Sequence, residues 1–139
     1  MKLNNILLNY ETEEDKINLN LMKAQVKIID FGFSCKISKT GLQYSVVGHP
    51  VNLDPIILKK LTSSTKKTRQ LGYNELADIW YLGTICYEML IGKPVFDSEN
   101  LDELVKKVEE GSYLVPTNLS FEVVSFLNGM LQYEAQRRL

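Results

Sequence analysis

Residues 77–91 read Ala-Asp-Ile-Trp-Tyr-Leu-Gly-Thr-Ile-Cys-Tyr-Glu-Met-Leu-Ile, and this run decides the fold. Asp78, Thr84 and Glu88 are the exceptions in an otherwise apolar stretch. Such a pattern predicts a helix that is buried on all sides at the centre of a domain. The run is too short to span a membrane, and Gly92 behind it predicts the end of the helix.

Two further helices are predicted downstream of this run. Asn100, with Glu103 three residues later, has the pattern of a helix N-cap, and Gly111 predicts the end of that helix. A third helix is predicted from apolar residues at helical spacing, namely Val123, Phe126, Leu127, Met130 and Leu131.

The upstream part of the sequence predicts a β-hairpin. Ile6-Leu7-Leu8 and Val26-Lys27-Ile28-Ile29 are short apolar runs typical of strands. Residues 9–25 between them begin with several acidic residues and then alternate with a period of two over residues 17–21. We interpret them as an extended, partly solvated and exposed arm of the hairpin.

The middle of the chain predicts irregular structure. Residues 32–56 are rich in glycine, proline, serine and threonine, which indicates a long loop of the kind that is often functional. Residues 59–69 follow with five basic side chains, at Lys59, Lys60, Lys66, Lys67 and Arg69. A solvated loop is the favoured interpretation of these charges, and a docking patch is the alternative.

Composition bounds the protein class. The 139 residues are 45% hydrophobic and 24% charged, which is typical of one globular domain and argues against disorder. A net charge of −1 gives no reason to expect nucleic acid as a partner. No signal peptide or membrane segment is visible. Cys35 and Cys86 lack paired spacing, so we expect reduced, mostly buried thiols in a cytosolic or nuclear protein, and of these a cytoplasmic location is the prediction.

Three side chains have the chemistry of phosphoryl transfer. Asp30-Phe31-Gly32 follows an apolar strand, and a carboxylate at a strand end beside a turning glycine is well placed to hold a metal ion. Lys2 and Asn5 precede the first strand. A lysine can neutralise phosphate charge, and an asparagine oxygen can ligate Mg²⁺.

The order of the motifs resembles the protein kinase family. Residues 1–8 resemble the second half of its catalytic loop, and Asp30-Phe31-Gly32 resembles its metal-binding motif. Residues 48–56 resemble the end of the activation segment, residues 78–83 the central buried helix, and residues 134–138 the segment whose arginine lies near the end of the fold. Together these five motifs cover the whole chain.

The resemblance implies an α+β fold: the mainly helical C-terminal lobe of a kinase with a small hairpin. Residues 1–139 would be an incomplete kinase domain, cut short at both ends, with the catalytic Asp and the N-terminal lobe missing. Lys2, Asn5 and Asp30 would be the catalytic and ATP-binding residues, and Asn5 and Asp30 would hold Mg²⁺. Serine/threonine kinases usually carry a lysine at the position of Lys2, two residues after the catalytic Asp. The resemblance therefore implies a protein substrate that is phosphorylated on Ser or Thr. Similarity to the autophagy-initiating branch is weaker.

Two positions depart from the family pattern. His49 stands where the family usually has Thr. Asp54-Pro55-Ile56 stands where it has Ala-Pro-Glu, so the usual Glu partner of the buried arginine, here Arg138, is absent. Either Asp54 takes over as the partner, or Arg138 reaches solvent.

The family also places an activating phosphate near residue 45. Ser45 is therefore a candidate phosphorylation site in the complete enzyme. The competing candidates are Ser34, Ser38, Thr40 and Tyr44.

A different class of function stays open beside catalysis. The chain could be a pseudokinase or a kinase lobe that serves as an interaction module. The altered segment at residues 48–56 favours this alternative, whereas Lys2, Asn5 and Asp30 count against it, because a scaffold has no need of metal ligands. An unrelated α+β domain is the third possibility.

Overall fold

The computed structural model describes residues 1–37 and 39–139, and it contains two compact units. One comprises Lys2–Ser34, and the other comprises Met1 with Cys35–Leu139. Ser38, one of the candidate phosphorylation sites, lies outside the described residues. Helices dominate, and the β1–β2 pair described below is antiparallel. The predicted α+β class is therefore confirmed.

The smaller unit is built on the predicted hairpin. Strand β1 (Ile6–Asn9) pairs with β2 (Gln25–Ile28), with Ile6 opposite Ile28 and Asn9 opposite Gln25. A single 3-10 turn, Leu3–Asn5, leads into β1. The ladder extends by one bond beyond β2, because the Ile29 amide donates to the Asn5 carbonyl at 2.9 Å.

The connection between these strands is exposed, as predicted, but it is not extended. It contains helix α1 (Glu13–Ile17) and a 3-10 turn, Leu21–Lys23. The Thr12 hydroxyl accepts a hydrogen bond from the Asp15 amide and caps α1, and acidic side chains fill its first turn. A cap and favourable charges at the helix N-terminus thus outweigh the alternating pattern, which was the wrong guide here.

The larger unit consists of helices and their connections. Its α-helices are α2 (Pro55–Thr62), α3 (Lys66–Arg69), α4 (Leu76–Ile91), α5 (Leu101–Glu110) and α6 (Phe121–Met130). The one-turn 3-10 helices Pro50–Asn52 and Ala135–Arg137 complete it. Within the described residues, every helix falls short of the length and apolar character that crossing a bilayer requires.

Helix α4 lies at the centre of the core but is not buried on every side. Trp80, Ile85 and Tyr87 are buried, and Trp80 stacks against Phe96 at 5.9 Å between ring centroids. Met89 and Leu90 in the last turn are exposed. The uniformly apolar sequence therefore predicted the position of the helix correctly and its complete burial wrongly, since the described elements cover only part of its surface.

Most of the basic stretch at residues 59–69 is helical, so the predicted loop is wrong, although Lys66, Lys67 and Arg69 are exposed to solvent as predicted. The stretch comprises the end of α2, a short connection at residues 63–65 and all of α3. Lys59 forms an ion pair with Glu109 at 2.9 Å, and Lys60 is buried. Asp54 at the N-cap and Pro55 in the first turn start α2, which explains why a helix begins directly after the irregular segment.

The predicted cap of α5 is confirmed and has one more member than expected. The Asn100 side chain accepts hydrogen bonds from the Asp102 and Glu103 amides. The Glu103 carboxylate does not reach back to the Asn100 amide directly. Instead, it accepts from the Ser98 hydroxyl, whose oxygen accepts from that amide. The relay satisfies the same backbone donor as a capping box would.

The thiols differ from expectation in one case. Cys35 is exposed, and Cys86 is half-buried in α4. Burial raises the pKa of the Cys86 thiol, which keeps it protonated and unreactive at neutral pH.

A buried ion pair closes the helical unit. The Arg138 guanidinium donates to the Asp54 carboxylate at 2.6 Å, and the two side chains are 0% and 1% exposed. The same Arg138 nitrogen donates to the Leu76 carbonyl at the start of α4. The guanidinium also lies over the Trp80 ring, 5.2 Å from its centroid. One side chain therefore connects the chain end, α2 and α4.

We predict that Arg138→Met destabilises the helical unit by about 3–5 kcal/mol, because it leaves the Asp54 carboxylate buried without its charged partner. Urea unfolding monitored by Trp80, the one tryptophan in the chain, measures the effect. Arg137→Met is the matched control, since Arg137 pairs with Glu134 at the surface. The control substitution should lower the free energy of unfolding by less than about 1 kcal/mol. Equal losses in the two variants would contradict the assignment.

We also predict that the arm contributes little stability. Replacing residues 10–24 by a two-residue Asn-Gly turn should keep the β1–β2 register and shift the thermal transition by only a few degrees, because shortening an exposed loop changes the closure entropy slightly. Circular dichroism during heating measures the transition. Loss of cooperative unfolding would show that the arm packs against the core.

Candidate functional site

The Asp30 side chain is held in place by local backbone geometry. Asp30 has a φ of 60°, in the left-handed region that non-glycine residues adopt rarely and aspartate more readily than most. One of its carboxylate oxygens, Oδ1, accepts a hydrogen bond from the Gly32 amide at 3.3 Å. The Asx turn formed in this way fixes the carboxylate directly after the second strand of the hairpin.

Asn5 is brought to Asp30 by the register of the hairpin. The Asn5 carbonyl accepts from the Ile29 amide, so Asn5 lies opposite the residue that precedes Asp30. The Asn5 side-chain amide then donates to the second carboxylate oxygen of Asp30 at 3.2 Å. Two residues that are 25 positions apart in sequence thus present their polar groups at one place.

The donor set of this pair fits Mg²⁺ in a shared, open site. Mg²⁺ typically takes one or two carboxylates from the protein and completes its shell with phosphates and water. Asp30 supplies the carboxylate, and a half-turn of the Asn5 amide would present its oxygen in place of its nitrogen. A closed cage is not available, because no cluster of three or more His, Cys, Asp or Glu side chains occurs among residues 1–37 and 39–139.

Lys2, the third predicted site residue, belongs to the same unit. Its side chain is exposed, and its carbonyl accepts from the Asn5 amide at 3.0 Å. The turn therefore connects Lys2 to Asn5 through the backbone. The Lys2 ammonium has no ion pair within the described part of the chain, which leaves its charge available for an anionic ligand.

Phe31 and Phe33 flank the turning glycine and are both exposed.

The segment around Gly48 belongs to the helical unit and is packed too tightly for a side chain at that position. Gly48 has a φ of 125°, and a Cβ there would lie 2.9 Å from both the Leu53 side chain and the Tyr81 hydroxyl. That hydroxyl donates to the Val47 carbonyl at 3.3 Å. Burial, together with the nearby charge of Asp54, raises the pKa of Tyr81, so the phenol stays a donor at physiological pH.

His49, the first departure from the family pattern, has an exposed side chain. Its carbonyl accepts from the Asn52 amide at 3.0 Å and so begins the 3-10 turn at Pro50–Asn52. The contribution of His49 that the structure shows is therefore through its backbone.

The second departure is resolved in favour of Asp54. Of the two alternatives for Arg138, pairing with Asp54 is the one found, and exposure to solvent is not. The Asp54 carboxylate also caps α2, since Oδ1 accepts from the Ile56 amide at 2.8 Å while Oδ2 binds the guanidinium. A single aspartate thus does the work of a helix cap and of the absent family Glu.

Sequence reasoning missed the part played by Lys60 and Tyr73. Both side chains donate to backbone carbonyls of residues 44–45. A lysine in a run of basic residues gave no signal of burial. Its spacing of three from Ile57, a buried residue on the same helix, would have been the signal to follow.

Comparison with known proteins shows the family of the chain. The family model described as "Protein kinase domain" matches residues 1–139. "Protein kinase 2" of Dictyostelium discoideum is 34% identical over all of this chain, which corresponds to 24% of that protein. "Serine/threonine-protein kinase atg1" of Aspergillus oryzae is 38% identical over 62% of the chain and 8% of its own length. "Serine/threonine-protein kinase ATG1" of Eremothecium gossypii is 32% identical over 82% of the chain and 11% of its own length. The chain spans a quarter or less of the length of these relatives.

We predict that the Asn5–Asp30 pair binds divalent cations weakly. Added Mn²⁺ should broaden the NMR signal of the Gly32 amide, which bonds to Asp30, through its unpaired electrons. Asp30→Asn should abolish this broadening because it removes the charge that attracts the ion. The amides of the acidic arm serve as the internal reference, and their response should be the same in both proteins. Broadening at Gly32 that persists in Asp30→Asn would contradict the site.

Proposed function

The chain belongs to the protein kinase family, in its serine/threonine branch, and on that premise we propose that the protein transfers the γ-phosphoryl group of ATP to Ser or Thr of a protein substrate. ATP and Mg²⁺ would be required, and a second, N-terminal lobe would complete the nucleotide site. We propose a cytoplasmic location on the same ground.

The geometry of Asp30 is the observation that supports this proposal most. A carboxylate held by the Gly32 amide in a left-handed backbone, with an asparagine amide beside it, is arranged in advance of any ligand. Strained backbone of this kind is frequent at functional sites. Phosphoryl transfer depends on fixed metal ligands more than on covalent chemistry, so this is the feature that the reaction needs.

Each site residue has a distinct proposed role. Asp30 and Asn5 would hold Mg²⁺, which neutralises the charge of the phosphates when it is bound. Lys2 would contact the phosphate that is transferred and offset the negative charge that develops on it. The polypeptide substrate would lie against the segment that ends near Pro55.

The 139 residues on their own are proposed to be inactive. They contain no glycine-rich loop and no His-Arg-Asp sequence, the features that the family uses to cover the phosphates and to supply the base. Positioning and charge stabilisation are the two sources of rate in this chemistry, and both would be incomplete.

A pseudokinase or scaffold remains the second candidate. Its support came from the altered residues 48–56, and that support is weaker now that Asp54 pairs with Arg138 and preserves the buried ion pair. The exposed His49 is the remaining departure. Metal binding by Asp30 without any phosphoryl transfer in a form that includes the N-terminal lobe would favour this candidate.

We predict that the isolated chain, incubated with labelled ATP, Mg²⁺ and a generic basic protein, gives no labelled product above a Lys2→Ala control. Both samples lack the base and the phosphate loop, so the substitution has no activity to remove. Scintillation counting of the separated protein measures the product. Label in the unsubstituted chain that exceeds the control would overturn the proposed inactivity.

A further inference from the structure

Lys60 is a buried cation without a carboxylate partner. The residue is 5% exposed and lies on the inner side of α2. No Asp or Glu oxygen within the described ranges comes within ion-pair distance of its ammonium, although the adjacent Lys59 pairs with Glu109. Burying an unpaired charge is costly in free energy unless other polar groups replace the water around it. The groups that contact the Lys60 ammonium must therefore stabilise its charge.

Two backbone carbonyls and one aromatic ring take the place of water. The Lys60 ammonium donates to the carbonyls of Tyr44 and Leu71, both at 2.7 Å. It also lies 5.3 Å from the centroid of the Tyr44 ring. Short bonds from an ammonium to carbonyls are stronger than neutral ones. Lys60 therefore joins α2 to two separate stretches of irregular chain.

One of these stretches is residues 42–47, which we call the 42–47 segment, and hydrogen bonds hold the backbone of four of its residues. Gln43 and Tyr73 exchange two backbone hydrogen bonds at 2.7 and 2.9 Å. The Tyr73 hydroxyl donates to the Ser45 carbonyl at 2.9 Å, and the Tyr81 hydroxyl donates to the Val47 carbonyl.

Gly72 allows this close approach. A Cβ at Gly72 would lie 3.1 Å from the Leu42 side chain and 3.2 Å from the Tyr44 ring. Loops are usually mobile, but here the backbone of the 42–47 segment is fixed by bonds from three directions. The side chains of Tyr44 and Ser45 still face solvent.

From this arrangement we propose that Lys60 is a positioning residue that fixes the 42–47 segment as a preformed edge against which the polypeptide substrate binds. The proposal rests on the proposed kinase function for the identity of the ligand, a Ser- or Thr-containing peptide. Lys60 holds the backbone of the 42–47 segment in one conformation before the substrate binds. Binding to the exposed side chains of the segment then avoids the entropy loss of ordering a mobile loop. Burial lowers the pKa of the Lys60 side chain. The carbonyls of Tyr44 and Leu71 act in the opposite direction, because they accept hydrogen bonds from the charged ammonium.

The test compares Lys60→Met with Lys59→Met in the whole chain. Methionine keeps the apolar stem and removes the ammonium, and the Lys59 variant loses a surface ion pair with Glu109 and a contact with the Tyr133 ring. Hydrogen exchange is measured at the amides of Gln43 and Tyr73, which donate the two bonds of the bridge, and at Ile85 in α4 as a core reference. Lys60→Met should speed exchange at Gln43 and Tyr73 about tenfold or more, with Ile85 unchanged. Lys59→Met should leave all three rates unchanged.

Limited chymotrypsin digestion gives a second reading of the same effect. Cleavage after Tyr44 should be faster in Lys60→Met, and also in Gly72→Ala, where the added methyl group pushes on the segment from the other side. Unchanged exchange and cleavage in Lys60→Met would overturn the proposal. So would equal acceleration at Ile85, or loss of the folded Trp80 emission, since Lys60 would then be a general stabiliser.

These outcomes are separate from those that test the kinase proposal. Exchange at residues 43 and 73 reports on Lys60 whether or not phosphate is transferred. Mn²⁺ broadening at Gly32 and phosphoryl transfer report on the proposed function alone.

Discussion

The buried contact between Asp54 and Arg138 is the constraint on which the helical unit depends. The two residues are 84 positions apart, and their side chains are removed from water almost completely. Removing two charges from water is expensive, and the cost is offset only when every remaining donor and acceptor is used. Arg138 meets this condition through carbonyls of Leu76, Gln132 and Tyr133 as well as through Asp54. The start of α2, the start of α4 and the last residues of the chain are thereby fixed together.

In the hairpin unit, the strand register fixes distant residues next to each other, as the ion pair does in the helical unit. One additional backbone bond, from Ile29 to Asn5, sets an asparagine next to a strained aspartate. The arrangement needs no buried core, which is why a small unit with many exposed apolar residues can still present an ordered pair of polar groups. The left-handed backbone at Asp30 is held by the turn to Gly32, whose amide donates to the Asp30 carboxylate at 3.3 Å.

Much of this fold could be predicted from sequence because its signals are local. Asn100 and Gly111 delimit α5 through capping chemistry that involves only near neighbours, and the two strands show as short apolar runs. Local signals misled at the arm, where the Thr12 cap competed with an alternating pattern, and at residues 59–69, where charge suggested solvent. The spacing of Lys60 from Ile57 signals its burial, but its hydrogen-bond partners, the carbonyls of Tyr44 and Leu71, are distant in sequence and have no local signal. The sequence likewise left open whether Arg138 pairs with Asp54 or reaches solvent, because the two residues are far apart in the chain.

The account holds that Asp54 takes over the ion pair that the family's Ala-Pro-Glu motif makes with Glu, and restoring that motif tests the claim most directly. Urea unfolding of Asp54→Ala and of the double variant Asp54→Ala with Ile56→Glu, monitored by Trp80, gives the two free energies. Asp54→Ala should lose about 3–5 kcal/mol. The double variant should recover most of this loss, apart from about 1 kcal/mol for the missing helix cap. No recovery in the double variant, or a loss of less than about 1 kcal/mol in Asp54→Ala, would contradict the account.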